Sequence, residues 1–313
     1  LGTHGRGVII LDDISPLRAL NQEVLAKDIH FFENKPAIMF ESGGFGGTAK
    51  EREFVGPNNS RNAKIIYYLK KRHIFGKMKM EIQDQDGNKL IELTPGKSKG
   101  INVVTWNGLI KQPKVAKGKS IARGGFTSPR VPAGTYKAII TKGKSTYETE
   151  VAFVNDPQSQ LTDAERIANQ QATVKLYDMS QELAYLVYEL DEILDKAEEV
   201  KSQGGTKTAD PVIDELFKLK EILVTTKGDN YVGRQEAQLR GKIATLYSKI
   251  AGSFQAPSDS EMQNLELLEE RLKEVTAKFN SIKQKRVLKM MKYMDGKGID
   301  DIKVMPYEDF IGK

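Results

Sequence analysis

The sequence predicts an α+β multidomain protein in which an antiparallel β-sandwich precedes an antiparallel α-helical bundle. Between residues 61 and 156, apolar and polar residues alternate with period two and turn residues recur at short intervals, as in antiparallel sheets. From residue 157 onward, apolar residues recur at steps of three and four, which is typical of amphipathic helices. A chain of 313 residues is long enough to form several units, each with its own core.

We predict four regions along the chain: a strand and a tether over 1–60, the sandwich over 61–156, the helical bundle over 157–290, and a tail over 291–313. Within the first region, the apolar residues 29–40 are expected to pack as a strap along a neighbouring domain. Residues 42–50 contain four closely spaced glycines, which favour a loop. We interpret this loop as a flexible linker, because the Gly-Lys-Ser/Thr order of a phosphate-binding loop is missing.

The sandwich is predicted from its strands and one clear hairpin turn at Asp86-Gly87. The only tryptophan, Trp106, lies in a strand pattern, where its large ring would fill the space between two sheets. Tyr67 and Tyr136 are predicted to join it in the core. The insertion from Gly108 to Arg130, rich in Lys and Gly, is the place where we expect an individual binding feature.

Four helices are predicted for the bundle. Capping boxes at Thr162–Glu165 and Ser258–Glu261 mark the starts of the first and fourth, and Asp210-Pro211 marks the start of the second. A third follows from apolar residues spaced between Leu239 and Ile250. The core positions that we single out are Leu183, Leu190, Leu268 and Leu272. The heptad-like spacing also fits an oligomeric coiled coil, but the short connections favour helices folded back within one chain.

Charge is distributed unevenly along the chain. Residues 1–156 contain 25 basic and 15 acidic residues, a net charge of +10, whereas residues 157–313 have a net charge of −4. A basic half can bind a polyanion or an acidic surface, attract the acidic half, or simply carry lysines that protect strand edges. Nucleic-acid binding is not predicted, because the lysines are spread through loops without stacking aromatic residues between them.

No catalytic, cofactor-binding or metal-binding residue is predicted. The absence of cysteine excludes disulfides and thiolate sites, and the three histidines have no suitably spaced partner. Asp84, Asp86 and Asn88 resemble half of a calcium loop, but the later glutamate is missing and hairpin-turn chemistry is favoured. Asp12-Asp13 could form an acid/base pair; capping a turn or pairing with arginine is the preferred interpretation.

The tail is partly apolar and rich in methionine. A methionine cluster can be an adaptable docking surface, but we favour a core role in which the last helix packs on a neighbour. Residues 306–310 are expected to lie across another domain. No apolar run is long enough to span a membrane, so no transmembrane segment is predicted.

Two stretches resemble known bacterial proteins. The run Gly5-Arg6-Gly7, followed by aliphatic residues and Leu11-Asp12-Asp13-Ile14, resembles the closing segment of bacterial sortilin-like (VPS10/BNR-repeat) β-propeller proteins. Gly100-x-Asn102-x-Val104-x-Trp106-Asn107 and Pro132-x-Gly134-Thr135-Tyr136 resemble the Ig-like, fibronectin-like modules that follow such propellers. The resemblance implies a last propeller strand, an Ig/fibronectin-like domain and a helical domain, in an extracytoplasmic bacterial protein.

The function expected from this resemblance is that of a non-catalytic accessory or scaffolding region of an exported propeller protein, mediating protein–protein or interdomain contacts. Its partners would be its own N-terminal propeller or other envelope proteins, without a cofactor. The alternative is the accessory C-terminal part of a BNR-repeat glycoside hydrolase-like or peptidase-like enzyme, whose active site would lie in a preceding propeller.

Overall fold

The computed structural model describes residues 13–41, 61–227 and 238–312, together with 2–3, 5 and 7–8. The protein combines about 46% helix with 20% strand, so the predicted mixture of the two is confirmed. It divides into two compact units. The first comprises residues 1–110 and 130–160, and the second comprises residues 111–129 and 161–313. Residues 111–129, which the sequence predicted as an insertion in the sandwich, are thus part of the second unit.

The first unit contains all of the described strands. In chain order these are β1 (Gly2–Thr3), β2 (Gly7–Val8), β3 (Ile29–Phe31), β4 (Ala37–Met39), β5 (Ala63–Leu69), β6 (Met78–Gln83), β7 (Lys89–Leu93), β8 (Gly100–Trp106), β9 (Gly134–Lys142) and β10 (Ser145–Asn155). Two short helices, α1 (Ser15–Ala19) and α2 (Gln22–Ala26), precede β3. β1 and β2 pair with each other, and the other strands form a five-stranded sheet in the order β4-β10-β9-β6-β7 and a three-stranded sheet in the order β3-β5-β8.

The segment predicted as a strap contributes edge strands instead. Ile29 of β3 lies opposite Leu69 in an antiparallel pair, and Ala37 of β4 lies opposite Phe153 in a parallel pair. The edges of β5 and β10 present free backbone N–H and C=O groups, which these short strands satisfy. Ile29, Ala37 and Met39 are also buried, so pairing and burial act together.

One apolar core joins the two larger sheets of the first unit. Apolar residues alternate along β6, where Met78, Met80 and Ile82 are buried while Lys79 is exposed. These side chains cluster with those of β5, β8, β9 and β10. A smaller cluster on Tyr68 of β5 contains Val24 of α2 and Phe32.

The second unit is helical. It comprises a 3₁₀ turn (Arg123–Phe126), α3 (Asp163–Ser202), α4 (Thr206–Leu223), α5 (Leu239–Ala251), α6 (Asp259–Ile282), a π-helical turn (Lys283–Val287), α7 (Leu288–Asp295) and α8 (Tyr307–Ile311). Both predicted capping boxes are confirmed, since Thr162 and Ser258 each accept a hydrogen bond from the backbone N–H three residues later. α3 ends just before the Gly204-Gly205 pair, and Gly204 has φ 91°, a conformation that favours glycine after a helix.

The start predicted for the second helix is wrong. α4 begins at Thr206, not at Asp210, and Pro211 lies inside it. The proline removes only one backbone hydrogen bond close to the helix start. Ala209 N–H donates to the Gly205 carbonyl oxygen at 3.0 Å, and an ion pair of 2.8 Å joins Asp210 to Lys201 of α3, so the extra turn is held from both sides.

The methionine cluster at the start of the tail reaches the core of the second unit, whereas most residues of the tail are partly or fully exposed. Met290 and Met294 are fully buried, which confirms the core interpretation of these two methionines. The expectation that residues 306–310 lie across another domain is wrong, because α8 packs on α3 of the same unit. Aromatic stacking holds α8 in this position, because the Phe310 ring stacks on the Tyr188 ring of α3 with centroids 5.1 Å apart.

Candidate functional site

The aromatic residues singled out from the sequence lie at the centre of the first unit. Trp106 is 1% exposed, and its ring meets those of Tyr136 and Phe153 edge to face at centroid distances of 5.4 and 5.2 Å. Its Nε1–H donates to the Leu109 carbonyl oxygen at 2.9 Å. Gly108 lies next to the Phe153 ring, and an added Cβ would be only 3.1 Å from that ring. Its φ of 74° also favours glycine at this position.

The two tyrosines also bury their rings while satisfying their hydroxyl groups. Tyr67 O–H donates to the Gly96 carbonyl oxygen, and Tyr136 O–H donates to that of Pro132 at 2.7 Å. Burial raises the pKa of each hydroxyl to about 12. Both phenols are therefore neutral donors at physiological pH, with a structural role.

The four leucines singled out in the helices are all buried in the core of the second unit. Leu183 and Leu190 lie on α3, and Leu268 and Leu272 lie on α6.

The polar residues weighed as chemical sites make local structural contacts. Asp84 accepts hydrogen bonds from the backbone N–H groups of Asp86 and Asn88 at 3.0 and 2.8 Å, and from the Asn88 side chain at 2.9 Å, as turn chemistry requires. Asp13 accepts hydrogen bonds from Ser15 at the start of α1 and forms an ion pair of 3.0 Å with Lys35, not with an arginine.

Some of the sequence interpretations fall on residues outside the described ranges. These are Asp12, His4 and the glycine-rich loop over residues 42–50. Within those ranges, His, Asp and Glu side chains form no group of three or more that could hold a metal ion. None of the helices described has an apolar stretch long enough to cross a bilayer.

The most distinctive polar site is built around Arg240, in the first turn of α5. Among the described residues it is the one charged side chain that is buried, at 7% exposure. Its guanidinium donates to the Ala116 carbonyl oxygen at 2.7 Å, to the Ser120 carbonyl oxygen, and to the Ser120 hydroxyl at 2.9 Å. Burial lowers the pKa of Arg240, but guanidinium stays protonated in proteins. No carboxylate pairs with it in the described part of the chain, so loop oxygens provide its stabilisation.

Further contacts hold the 111–129 loop in the second unit. Lys119 N–H donates to the Thr225 carbonyl oxygen at 2.8 Å, and Tyr247 O–H donates to that of Thr127 at 2.8 Å. Gly124 lies against α5, where an added Cβ would clash with the backbone carbonyl of Ala244. The loop is therefore fixed along its length by backbone as well as side-chain contacts.

A small cavity lies beside Arg240, lined also by Ser180, Leu183 and Ala116. Its volume is about 10 Å³, which corresponds to roughly one water molecule. Such a space is too small for an organic substrate or cofactor.

A second cluster fixes the C-terminal helix α8. Tyr185 O–H donates to the Met305 carbonyl oxygen at 3.0 Å, and the Met305 N–H donates to the Tyr188 hydroxyl at 3.1 Å. The Lys114 ammonium lies 4.4 Å from the centroid of the Phe310 ring, a cation–π distance. Lys111 donates to the Ile311 carbonyl oxygen at 3.0 Å. The start of the loop and the end of the chain therefore meet on α3.

Sequence reasoning missed both polar clusters. Arg240 stands among helix-forming residues, and nothing in its spacing distinguishes it from a solvent-exposed arginine. Tyr185 and Tyr188 form an i,i+3 pair on α3, and this spacing could have marked an aromatic docking face.

No protein-family model matches the chain, and no curated protein or solved structure shows significant similarity to it.

Proposed function

We propose that this chain is a non-catalytic accessory or scaffolding region that mediates protein–protein or interdomain contacts. The observation that carries the proposal is the role of Arg240. Its guanidinium is the one buried charge among the described residues, and it donates hydrogen bonds to oxygens of the 111–129 loop. These N–H groups hold the loop in place and are not available to bind a substrate.

The proposal includes the architecture. The first unit would be an Ig-like, fibronectin-like antiparallel β-sandwich, supported by the apolar core shared by its two larger sheets. The second would be an antiparallel helical bundle, supported by the contacts of α3 with α4, α5 and α6. The antiparallel pairing of β1 with β2 is compatible with a last propeller strand near residues 2–8.

The proposed setting is an exported bacterial propeller protein, with the propeller itself or other envelope proteins as partners. It rests on the resemblance of the Gly-Arg-Gly and Asp-Asp-Ile run and of the Trp106 strand. The chain crosses from one unit to the other three times, after Ile110, Pro129 and Gln160. This connectivity supports a scaffolding role.

The test uses the full chain, tagged, in the envelope fraction of the bacterium that encodes it. Lysine-directed cross-linking followed by size-exclusion chromatography should yield one exported partner at fixed stoichiometry. Neither the purified chain nor the complex should turn over a panel of glycans and peptides. An unrelated exported chain with the same tag is the control.

Three outcomes would overturn the proposal. Turnover by the homogeneous chain would make it an enzyme. Hydrolysis by the complex that disappears when the chain is removed would support the accessory part of a hydrolase instead. A chain that elutes alone, without a cross-linked partner, would contradict the scaffolding role.

A further inference from the structure

The loop between β5 and β6 presents two apolar side chains to solvent. It reads Lys70-Lys71-Arg72-His73-Ile74-Phe75-Gly76-Lys77. Ile74 is 68% exposed and Phe75 is 86% exposed, the two highest values among the large hydrophobic residues described. Exposing two neighbouring apolar side chains gives up the free energy of their burial, which points to a partner that covers them.

The tip is held in an ordered turn. His73 N–H donates to the Lys97 carbonyl oxygen at 3.0 Å, and its Nε2 lies 3.2 Å from the Gly76 carbonyl oxygen. Gly76 has φ 88°, a conformation that favours glycine. The loop therefore projects Ile74 and Phe75 from a fixed base.

Basic side chains surround this tip. Because Leu69 lies opposite Gly100 and Met78 lies opposite Lys142, the loops next to these positions share one end of the first unit. We call this the basic end, and its cationic residues are Lys70, Lys71, Arg72, Lys77, Lys97, Lys99, Lys142 and Lys144.

Few of these charges are neutralised. Asp28 pairs with Lys142 at 2.6 Å. Within the described part of the chain, Lys71, Arg72, Lys77 and Lys97 form no ion pair. Such a cluster of unneutralised cations attracts an anionic surface.

We propose that the basic end binds an anionic phospholipid surface, with Ile74 and Phe75 entering the boundary between headgroups and acyl chains. Apolar insertion combined with basic residues is the combination by which interfacial segments bind anionic membranes. Each cation near such a surface strengthens binding about fivefold. The inference does not depend on the scaffolding role proposed above.

A projecting apolar pair fits a bilayer better than it fits a nucleic acid. Single-stranded nucleic acids bind along grooves in which several aromatic rings stack on successive bases. At the basic end Phe75 is the one strongly exposed ring among the described residues, and its neighbour Ile74 has no π-face.

The experiment is co-sedimentation of the full chain with phosphatidylcholine vesicles, with and without phosphatidylglycerol. We expect binding to the anionic vesicles alone, weakened by salt. The double variant Ile74→Ser/Phe75→Ser should lower the binding constant at least about tenfold, because two apolar side chains are lost. The variant Lys71→Glu/Arg72→Glu should lower it about 25-fold or more, from two cations at about fivefold each.

Matched controls separate the loop from general effects. Leu267→Ser removes another exposed apolar residue, on α6, and Lys278→Glu/Lys285→Glu makes the same change of net charge in the second unit. Both should bind like the unaltered chain. Equal losses in the controls would overturn the proposal.

A spectroscopic readout reports insertion directly. Trp106 is buried, so its emission is a constant background for a Phe75→Trp variant. We expect a blue shift of the introduced indole on anionic vesicles. The proposal would be overturned if the chain did not bind the vesicles, or if it bound them without a blue shift. It would also be overturned if single-stranded DNA displaced the chain from the vesicles and quenched the introduced indole, which would indicate a nucleic-acid site.

Discussion

In the first unit the centre of the core is aromatic, and rings from different strands meet around Trp106 with their polar tips on backbone carbonyl oxygens. In the second unit the core is mainly aliphatic, and its polar contacts, at Arg240 and Tyr247, fasten a loop. The comparison shows that the structure of the first unit depends on pairs of strands that are distant in sequence, such as β4 with β10. The helices of the second unit are instead specified mainly by residues that are neighbours in the sequence. The consequences of single substitutions should therefore differ between the units.

The largest effect is expected at the aromatic centre. Trp106→Ala should destabilise the first unit by about 3–5 kcal/mol, because it removes a buried ring and leaves a cavity. Differential scanning calorimetry, with hydrogen exchange to assign the transitions, should show the loss in residues 61–106 and not in α3–α6. Phe75→Ala, at an exposed ring, is the control and should change stability by less than about 0.5 kcal/mol. A loss below about 1 kcal/mol for Trp106→Ala would contradict the core role.

A smaller and more local effect is expected at Arg240. Arg240→Met should cost about 1–3 kcal/mol, because the Ala116 carbonyl oxygen stays buried without its donor. Trypsin should then cleave faster after Lys114, Lys117 and Lys119. The matched control is Arg271→Met, which removes an exposed pair with Glu274 and should cost no more than about 1 kcal/mol. Unchanged cleavage in Arg240→Met would show that the guanidinium does not hold the loop.

The smallest effect is expected at the start of α6. Hydrogen bonds from the Ser258 backbone N–H, from Lys249 and from the Ser258 hydroxyl lower the pKa of Glu261 to about 2. Because the folded-state pKa is depressed, the carboxylate stabilises the fold above the ordinary pKa of 4.5, and this stabilisation is lost as pH falls towards 2. Glu261→Gln should lower the melting temperature at pH 7 and have little effect near pH 2.

Glu266→Gln is the control for this charge, since Glu266 is exposed on the same helix. It should leave the melting temperature unchanged at both pH values. A difference between Glu261→Gln and the unaltered chain that stays constant across this pH range would show that the carboxylate charge makes no contribution.

The sequence was most informative where a structure is encoded by neighbouring residues. The capping boxes at Thr162 and Ser258 and the Asp84 turn are local, and each was predicted. The start of α4 was missed because the Lys201–Asp210 ion pair and the burial of Ala209 outweigh the local signal of Pro211.

The remaining differences arise from partners that are distant in the chain. The short strands β3 and β4 have weak patterns of their own, and their pairing is decided by the free edges of β5 and β10. Arg240 lies 124 residues from Ala116, so no local pattern reveals that its guanidinium holds the loop. For the same reason the unit to which residues 111–129 belong could not be predicted.

The most direct test of the account is amide exchange at Lys119, whose N–H donates to Thr225 in the second unit. It should be measured in the full chain carrying either Leu190→Ala, which should cost the helical core about 2–5 kcal/mol, or Trp106→Ala. We predict faster exchange at Lys119 in Leu190→Ala and an unchanged rate in Trp106→Ala. Faster exchange in Trp106→Ala alone would contradict the assignment of the loop to the helical unit and the structural role of Arg240.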